Sequence, residues 1–203
     1  DLEPPKGSLA LRDGGKHTNK LEVTLRLSAQ DDLSGVYAYR LRESVGTWSN
    51  WLVYTAEVPW IISSGPDGER KIDVQYQDRA GNVSAVYSLA VTLDRVPPEL
   101  LDLKIIELLA YGATLRIRSD KEVFVEVNLS KRYGIGKHKY ESKSFSRSHD
   151  LKFSGLDADT DYEIFLMLKD RAGNTKTLEG YSFQTQRDTT PPYGGINFVD
   201  DIT

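Results

Sequence analysis

Hydrophobic and polar residues alternate along several short stretches of the chain, and each stretch predicts a β-strand with one buried face. The stretches are 21–27, 72–77, 89–93, 115–118, 123–128 and 162–168. Residues 104–109 would also suit a short helix. They follow Pro97-Pro98 and stand where a first strand belongs, so we predict a strand there. Turn-forming residues separate the stretches, and the sequence therefore predicts an all-β protein.

Two short motifs recur along the chain. Asp-Arg-Ala-Gly-Asn, referred to below as DRAGN, occupies residues 78–82 and 170–174. Asp-x-x-Pro-Pro occupies residues 1–5, 94–98 and 188–192. The period is about 93 residues, close to the roughly 100 residues of one immunoglobulin-like domain. Such a period predicts a tandem array in which each domain begins with Asp-x-x-Pro-Pro and carries DRAGN near its end.

The period divides the chain into domains. We predict two tandem Ig-like or fibronectin type III-like β-sandwiches, residues 1–96 and 97–187, joined by a short Pro-Pro linker. Residues 188–203 are predicted to be a second linker and the first strand of a truncated third repeat. Proline fixes φ and restricts the residue before it, so we expect semi-rigid connections between neighbouring domains.

Composition and charge exclude several classes of protein. The 203 residues include no cysteine, which excludes disulfides, thiolate metal sites and cysteine nucleophiles. The net charge of -4 argues against nucleic-acid binding driven by charge. No run of about 18 apolar residues is present, so we expect no membrane insertion. The sequence opens on Asp1 rather than Met, and we expect a monomeric piece of a larger protein whose partners are neighbouring domains of the same chain.

The second half resembles a fibronectin type III domain over roughly residues 98–187. The resemblance rests on the segment Leu156-Asp157-Ala158-Asp159-Thr160-Asp161-Tyr162, the strand and DRAGN motif after it, and Phe183-Gln184-Thr185. It implies that Tyr162 forms a tyrosine corner, in which the hydroxyl is tied to the backbone a few residues upstream. The first half has Arg70 at the corresponding position, so we expect no tyrosine corner there.

The first half resembles the Ig-like repeats of large bacterial surface proteins. It carries Asp32-Leu33-Ser34-Gly35-Val36, a tryptophan-rich middle and a closing Asp-x-Ala-Gly-Asn. The two resemblances imply an extracellular or cell-surface setting. They also imply a module that adhesion proteins or secreted enzymes use between other domains.

The DRAGN residues suit a tight turn between paired strands. Gly and Asn supply the left-handed backbone that a tight turn needs, and the Asp carboxylate can accept backbone N–H groups further along. We therefore predict structural roles for both copies, and the alternative is that the Asp of each turn is a calcium ligand. The residues concerned are Asp78, Gly81, Asn82, Asp170, Gly173 and Asn174.

Calcium is the one cofactor the sequence leaves open. The resemblance to adhesion-protein repeats implies Ca²⁺ near domain junctions, where Asp94 and Asp188 stand, and Asp31 and Asp32 could add oxygen ligands. The alternative is that each Asp caps a turn before the extended prolines and that no cofactor binds.

Three tryptophans lie close together in the first half. Exposed indole faces at Trp48 and Trp51 could stack on sugar rings, which would make a glycan-binding site. The alternative is structural packing, and Trp60 is expected to be buried because Val58, Trp60 and Ile62 share one face of a predicted strand. The basic segment 131–152 could contact a polyanion but more commonly forms a solvated hairpin.

No catalytic constellation is recognisable. The three histidines, His17, His138 and His149, are scattered, and there is no Gly-x-Ser-x-Gly elbow. We therefore predict that the chain is not an enzyme but a non-catalytic spacer of a modular extracellular or cell-surface protein. Two alternatives stay open, a module that binds glycan or protein for adhesion, and accessory domains of a secreted hydrolase.

Overall fold

The computed structural model describes residues 1–44 and 46–190, and within them the chain forms fourteen β-strands and no helix. The all-β prediction is confirmed. Segment 104–109, which we predicted to be a strand, lies largely within one. The predicted first strand of a third repeat falls within 191–203, outside the described residues.

The first domain contains eight strands in two sheets. The strands are β1 (Lys6–Leu11), β2 (His17–Thr18), β3 (Glu22–Gln30), β4 (Val36–Glu43), β5 (Leu52–Val53), β6 (Glu57–Ile61), β7 (Gly68–Asp78) and β8 (Tyr87–Leu93). One sheet has the order β1-β3-β6 and the other β2-β8-β7-β4-β5. The short β2 pairs with β8 in parallel, whereas the other neighbours are antiparallel.

The core of the first domain is formed by the alternating apolar positions that the sequence shows. Leu25 and Leu27 of β3 meet Ile72, Val74 and Tyr76 of β7, and all five are buried. Burying one such side chain contributes about 1.5–3 kcal/mol, so the alternation in β3 and β7 accounts for the pairing of the two sheets.

Tyr76 connects the two sheets of this domain. Its hydroxyl donates to the backbone oxygen of Ser8 over 2.6 Å, and its ring passes directly beneath Gly7. A Cβ on Gly7 would lie 2.5 Å from Cε2 of Tyr76 and 2.6 Å from the backbone oxygen of Ser28. Glycine is therefore required at this position for close approach of β1.

Replacing Gly7 with Ala is expected to destabilise the first domain by about 1–3 kcal/mol, because the new methyl group overpacks a rigid contact. Urea unfolding followed by tryptophan fluorescence would measure the loss. Ser8→Ala is the matched control, because the Ser8 side chain is exposed and its backbone oxygen is retained. Equal urea midpoints for Gly7→Ala and Ser8→Ala would contradict this prediction, because they would show that β1 can shift away from the ring of Tyr76 at little cost.

The second domain contains six strands. They are β9 (Leu100–Leu108), β10 (Gly112–Lys131), β11 (Lys137–Glu141), β12 (Ser146–Ser154), β13 (Asp161–Asp170) and β14 (Thr175–Gln184). The first part of β10 pairs with β9 and β12, and its second part pairs with β11 and β13. Strand β14 pairs with β13. The register shifts between Arg118 and Val123, so one continuous strand contributes to both layers of the sandwich.

Tyr162 stands in the core of the second domain. It is fully buried, and its ring stacks on Phe183 with centroids 5.7 Å apart. Its hydroxyl accepts the backbone N–H of Asp157 over 2.9 Å, which is the geometry of a tyrosine corner. Arg70 has no comparable role, because its guanidinium donates to the backbone oxygens of Pro66 and Glu69 at the surface.

The expectation that Trp60 is buried is met only in part. The ring packs against the first core but is half-buried, and its Nε1 lies out of solvent without a hydrogen-bond partner. Edge position explains the exposure, because β6 is the last strand of the three-stranded sheet.

Candidate functional site: the two DRAGN turns and the segments that face them

The two DRAGN motifs fold into the same turn. In the first, the backbone N–H and the side-chain Nδ2 of Asn82 donate to the two carboxylate oxygens of Asp78, each over 2.8 Å. In the second, Asn174 makes the same two bonds to Asp170, each over 2.9 Å. The turn glycines have matching positive φ angles, which a side chain would strain.

The aspartates of these turns are buried at the ends of β7 and β13. Asp78 is 1% exposed and Asp170 is 3% exposed. Burial alone would raise the pKa of Asp78, but hydrogen bonds led by those from Asn82 outweigh it and hold the pKa below its usual range. The carboxylate of Asp78 is therefore ionised at neutral pH.

The second DRAGN turn lies against the linker. Nδ2 of Asn174 donates to the backbone oxygen of Asp94 over 2.8 Å. Nδ2 of Asn19, from the loop after β2, donates to Oδ1 of Asn174 over 3.2 Å. The linker is also held from the first domain, because the N–H of Asp94 donates to the oxygen of Thr18 over 2.9 Å. The turn thus contacts the linker and the preceding domain together.

A lysine ammonium occupies the centre of this junction. Nζ of Lys121 lies 2.9 Å and 3.1 Å from the two carboxylate oxygens of Asp94, 2.7 Å from the backbone oxygen of Val96, and 3.4 Å from Oδ2 of Asp170. Burial would lower the pKa of Lys121, but the hydrogen bonds and charges of the two aspartates raise it above its usual value. We refer to Lys121, Asp94, Asp170 and Asn174 as the junction cluster.

The first DRAGN turn faces the first Asp-x-x-Pro-Pro segment in the same way. Nδ2 of Asn82 donates to the backbone oxygen of Asp1 over 3.3 Å, as Asn174 does to Asp94. Pro5 is buried in the first domain and Pro98 is buried in the second. The two motifs of the repeat are therefore parts of one recurring contact.

The first turn has a third carboxylate where the second has a lysine. Single carboxylate oxygens of Asp1, Asp31 and Asp78 all lie within 4.8 Å of one another. Oδ1 of Asp31 accepts the N–H of Gly35 over 2.6 Å, and Oδ2 of Asp1 accepts the N–H of Ser34 over 3.1 Å. We refer to these three aspartates as the acidic cluster.

The four aspartates that the sequence suggested as calcium ligands have different partners in the structure. Asp31 belongs to the acidic cluster, whereas Asp94 holds Lys121. Asp32 instead accepts Nε2 of Gln30 over 2.7 Å. Asp188 accepts the hydroxyls of Thr190 and Tyr111, each over 2.5 Å, and these bonds together with one from the N–H of Thr190 lower its pKa to about 2.

Sequence reasoning missed Asp1 and favoured a structural role for Asp78. A signal was available, because Asp1 and Asp94 occupy the same place in Asp-x-x-Pro-Pro and Asp78 and Asp170 the same place in DRAGN. Aligning both motifs would have paired the two carboxylates in each domain. The remaining charged residue of each cluster, Asp31 in the first domain and Lys121 in the second, comes from a loop or bend that the motifs do not include.

Trp48 and Trp51 take part in a stack with two arginines. The guanidinium of Arg40 lies 4.9 Å from the ring centroid of Trp48 and 4.6 Å from that of Trp51, and that of Arg42 lies 4.5 Å from Trp48. Both indoles are half-buried. Both rings thus contact cationic side chains of β4, which is a packing role.

Asp73 anchors this stack from within the five-stranded sheet. Its carboxylate is fully buried and accepts Nε of Arg42 over 2.9 Å and the hydroxyl of Ser88 over 2.6 Å. Desolvation would raise the pKa of Asp73, but the bonds from Ser88 and Arg42 and the charge of Lys71 lower it overall.

Asp73 is expected to make the first domain sensitive to acid. Because its pKa is depressed in the folded state, its contribution to stability is complete above the unfolded value of about 3.9 and is lost as the pH falls through the folded value. Urea midpoints measured between neutral pH and about pH 2.5 should therefore fall steeply below about pH 4. Asp73→Asn should be less stable at neutral pH and show a shallower fall, and an unchanged slope would contradict this assignment.

The basic segment 131–152 is partly neutralised by acidic side chains. Nζ of Lys139 lies 3.0 Å from a carboxylate oxygen of Glu126 and 2.7 Å from one of Glu141, and Lys131 pairs with Asp157. The bonds to Glu141 and Glu126 raise the pKa of Lys139. These pairings favour the interpretation as a solvated hairpin.

Across the described residues, the structure contains no helix long and apolar enough to cross a membrane. Of the three histidines, His149 is buried, with Nε2 2.9 Å from the backbone oxygen of Val123. His138 stacks on Tyr140. Their contacts are those of packed side chains.

Comparison with known proteins shows the fold alone. No protein-family model and no curated protein sequence matches the chain. Among solved structures, the chicken CNTN1 FN1-FN3 domains match with a TM-score of 0.60 and 13% identity, over 91% of this chain and 69% of that one. The central fibronectin-III array of RIM-binding protein matches at 15% identity with a TM-score of 0.34, over 93% of this chain and 71% of that one.

A tetra-tandem repeat in the extending region of a large adhesion protein matches at 20% identity with a TM-score of 0.37, over 85% of this chain and 48% of that one. Of these three structures, the CNTN1 domains alone exceed a TM-score of 0.5. The assignment of the fold therefore rests on that match and on the sheet order described above. The chain has the tandem fibronectin type III-like and Ig-like β-sandwich fold.

Proposed function

We propose that this chain is a non-catalytic spacer of a modular extracellular or cell-surface protein, which holds other domains at a set separation. The tandem sandwich fold supports a non-catalytic module. The resemblance of the first half to repeats of bacterial surface proteins supports the extracellular setting. A spacer must keep neighbouring domains in a fixed relative placement. The contacts at the junction between domains are therefore the ones that matter for this role.

The junction cluster is the observation that carries this proposal. Asp94 of the linker is bound through its carboxylate by Lys121, through its backbone oxygen by Asn174, and through its N–H by Thr18. Hydrogen bonds to charged groups contribute about 1.5–3 kcal/mol each, more than neutral ones. Contacts of this kind on both sides of a short linker favour one relative placement of the domains over many.

The linker is also fixed on the side of the first domain by a second ion pair. Nε of Arg95 lies 2.7 Å from Oδ1 of Asp67, and Nη2 of the same guanidinium donates to the backbone oxygen of Gly65 over 2.6 Å. The bonds from Arg95 to the Asp67 carboxylate lower the pKa of Asp67. Successive linker residues are thus held from opposite sides, Arg95 by the first domain and Asp94 largely by the second.

Spin labels would test whether the domains hold a fixed relation. The chain has no cysteine, so Glu22→Cys and Lys152→Cys, both at exposed positions, introduce one label in each domain. We expect a narrow distance distribution that broadens when Lys121→Met removes the ammonium but keeps the apolar stem.

Lys104→Met is the matched control for this experiment. Its side chain is 66% exposed and pairs only with Asp102 of the same strand among the described residues. It should leave the distribution narrow. A distribution in the unsubstituted protein as broad as in Lys121→Met would mean that the junction does not fix the domains, and the spacer proposal would lose its physical basis.

The alternative of a glycan-binding module is less well supported. It needs free indole faces at Trp48 and Trp51, yet Arg40 and Arg42 lie against the ring of Trp48 and Arg40 lies against that of Trp51. The alternative of an accessory part of a secreted hydrolase requires the same spacer role and differs only in the neighbouring domain.

A further inference from the structure

The second domain has an open side between its two layers, and a cleft enters the sandwich there. Strands β11 and β12 are edge strands of different layers, because each pairs with β10 and with no other strand among the described residues. The cleft between them has a volume of about 490 Å³, within the range of roughly 300–1,000 Å³ that is usual for small-molecule sites. It is lined by residues 140–143, at the end of β11, and by residues 149–152 of β12.

One buried side chain has a polar atom that faces this cleft without a partner. His149 is 9% exposed, and its Nε2 lies 2.9 Å from the backbone oxygen of Val123 and 3.1 Å from that of Ser146. Carbonyl oxygens only accept hydrogen bonds, so Nε2 carries a proton, and Nδ1 of the neutral ring offers a lone pair. Nδ1 has no hydrogen-bond partner among the described residues. It reaches the cleft, because over the same residues the one unpartnered polar side-chain atom fully enclosed by protein is Nε1 of Trp60.

Two lysines at the rim of the cleft carry charge that the chain does not neutralise. Lys143 and Lys152 line the cleft, and neither forms an ion pair within the part of the chain that the structure describes. The two carboxylates of the same rim, Glu141 and Asp150, already pair with other cationic side chains of the domain. The rim therefore has two positive charges available to an anionic ligand.

The other side chains around the cleft are apolar or already bonded. Leu151 and the ring of Tyr140 belong to the core of the domain. The Tyr140 hydroxyl donates to the backbone oxygen of Ser154 over 2.9 Å. The Ser142 hydroxyl accepts the N–H of Val125 over 2.9 Å. These contacts hold the shape of the cleft, and the groups left to select a ligand are Nδ1 of the histidine and the two ammonium groups.

We propose that this cleft binds a uronic acid, a sugar that carries a carboxylate, either free or as a unit of an acidic polysaccharide. The ammonium groups of Lys143 and Lys152 attract the carboxylate, and Nδ1 of His149 accepts a hydrogen bond from a sugar hydroxyl. The C–H groups of the sugar ring lie against Leu151 and Tyr140, which form the apolar wall. A simple anion would leave Nδ1 unpaired, and a neutral sugar would leave both ammonium groups without a counter-charge.

An NMR titration of the whole chain with sodium glucuronate tests the cleft, at a constant ionic strength of about 0.15 M. We expect chemical-shift changes at the amides of residues 140–143 and 149–152, with a Kd of about 0.1–10 mM. Glucose, which lacks the carboxylate, and acetate, which lacks the hydroxyls, should each bind at least about tenfold more weakly. Absence of shifts at these residues up to about 50 mM glucuronate would overturn the proposal. So would acetate or inorganic phosphate binding as tightly as glucuronate.

A pair of substitutions at the rim locates the carboxylate. Lys143→Gln combined with Lys152→Gln should weaken glucuronate binding at least about tenfold and leave the fold intact, because both side chains are exposed. Lys169→Gln combined with Lys176→Gln is the matched control. It removes two exposed lysines from β13 and β14 and should change Kd by less than about twofold. Equal effects of the two pairs would show a response to overall charge alone and would refute the site.

His149→Gln tests the lone pair of the ring. The glutamine Nε2 can still donate to the backbone oxygens of Val123 and Ser146, but no acceptor nitrogen remains at the position of Nδ1. Glucuronate binding should weaken at least about fivefold, while the weak binding of acetate should stay the same. Equal weakening for the two ligands would contradict the role assigned to Nδ1. The cleft belongs to the second domain alone, so its failure would leave the spacer proposal standing.

Discussion

Asp170→Ala is expected to destabilise the second domain by about 3–5 kcal/mol. The substitution removes the acceptor of two Asn174 donors and one of the two carboxylates that hold Lys121. Lys121 is only partly exposed and Asn174 is buried, so water cannot fully replace the hydrogen-bond partners that they lose. The turn that closes β13 and β14 would then lose both its geometry and its contact with the linker.

Two spectroscopic signals would separate this effect by domain. All three tryptophans lie in the first domain, so tryptophan fluorescence follows that domain and far-ultraviolet circular dichroism follows both. Asp170→Ala should lower the midpoint of the unfolding transition that only circular dichroism detects, which is that of the second domain. The unfolding midpoint followed by tryptophan fluorescence should stay nearly unchanged. Asp150→Ala is the control, because its ion pair with Arg116 is 44% exposed on each side and contributes less than about 1 kcal/mol. Equal shifts in the two variants would contradict the role assigned to Asp170.

The second large effect is expected at Asp73. Asp73→Ala should destabilise the first domain by about 3 kcal/mol, because Arg42 loses the buried carboxylate that orients it beside Trp48. The tryptophan emission of the folded state should also change, since the guanidinium is no longer held against the indole.

A double-mutant cycle distinguishes this ion pair from a general loss of packing. Asp73→Ala combined with Arg42→Ala should be less destabilised than the sum of the single variants, because the second substitution removes the unpaired charge left by the first. Strict additivity would show that the two side chains act independently. Arg12→Ala is a suitable reference, since its pair with Glu57 spans 3.4 Å and is largely exposed.

The sequence was sufficient to predict the fold class, because the alternation of hydrophobic and polar residues determines which face of each strand is buried. The stretches around Leu25, Val74 and Leu166 became buried strands in the expected places. The continuity of β10 was not predictable in this way. Its polar segment Ser119–Glu122 has the composition of a loop, yet it lies within one strand that bends from one sheet into the other.

The sites depended on contacts between distant residues. Lys121 is 27 residues from Asp94 and 49 from Asp170, and no local pattern indicates that these three side chains meet. The arginine–tryptophan stack was missed for a related reason, because Arg40 and Arg42 occupy the polar positions of β4, which ordinarily face solvent. Motif periodicity draws attention to the aspartates, but only the folded chain shows that Asp94 and Asp170 both meet Lys121.

The central claim is that the junction cluster fixes one placement of the two domains. Residual dipolar couplings of backbone amides, measured for both domains in one weakly aligned sample, test it most directly. If the claim holds, a single alignment tensor will fit the couplings of both domains in the unsubstituted protein, and separate tensors will be needed for Lys121→Met. Two tensors of different magnitude in the unsubstituted protein would contradict the claim.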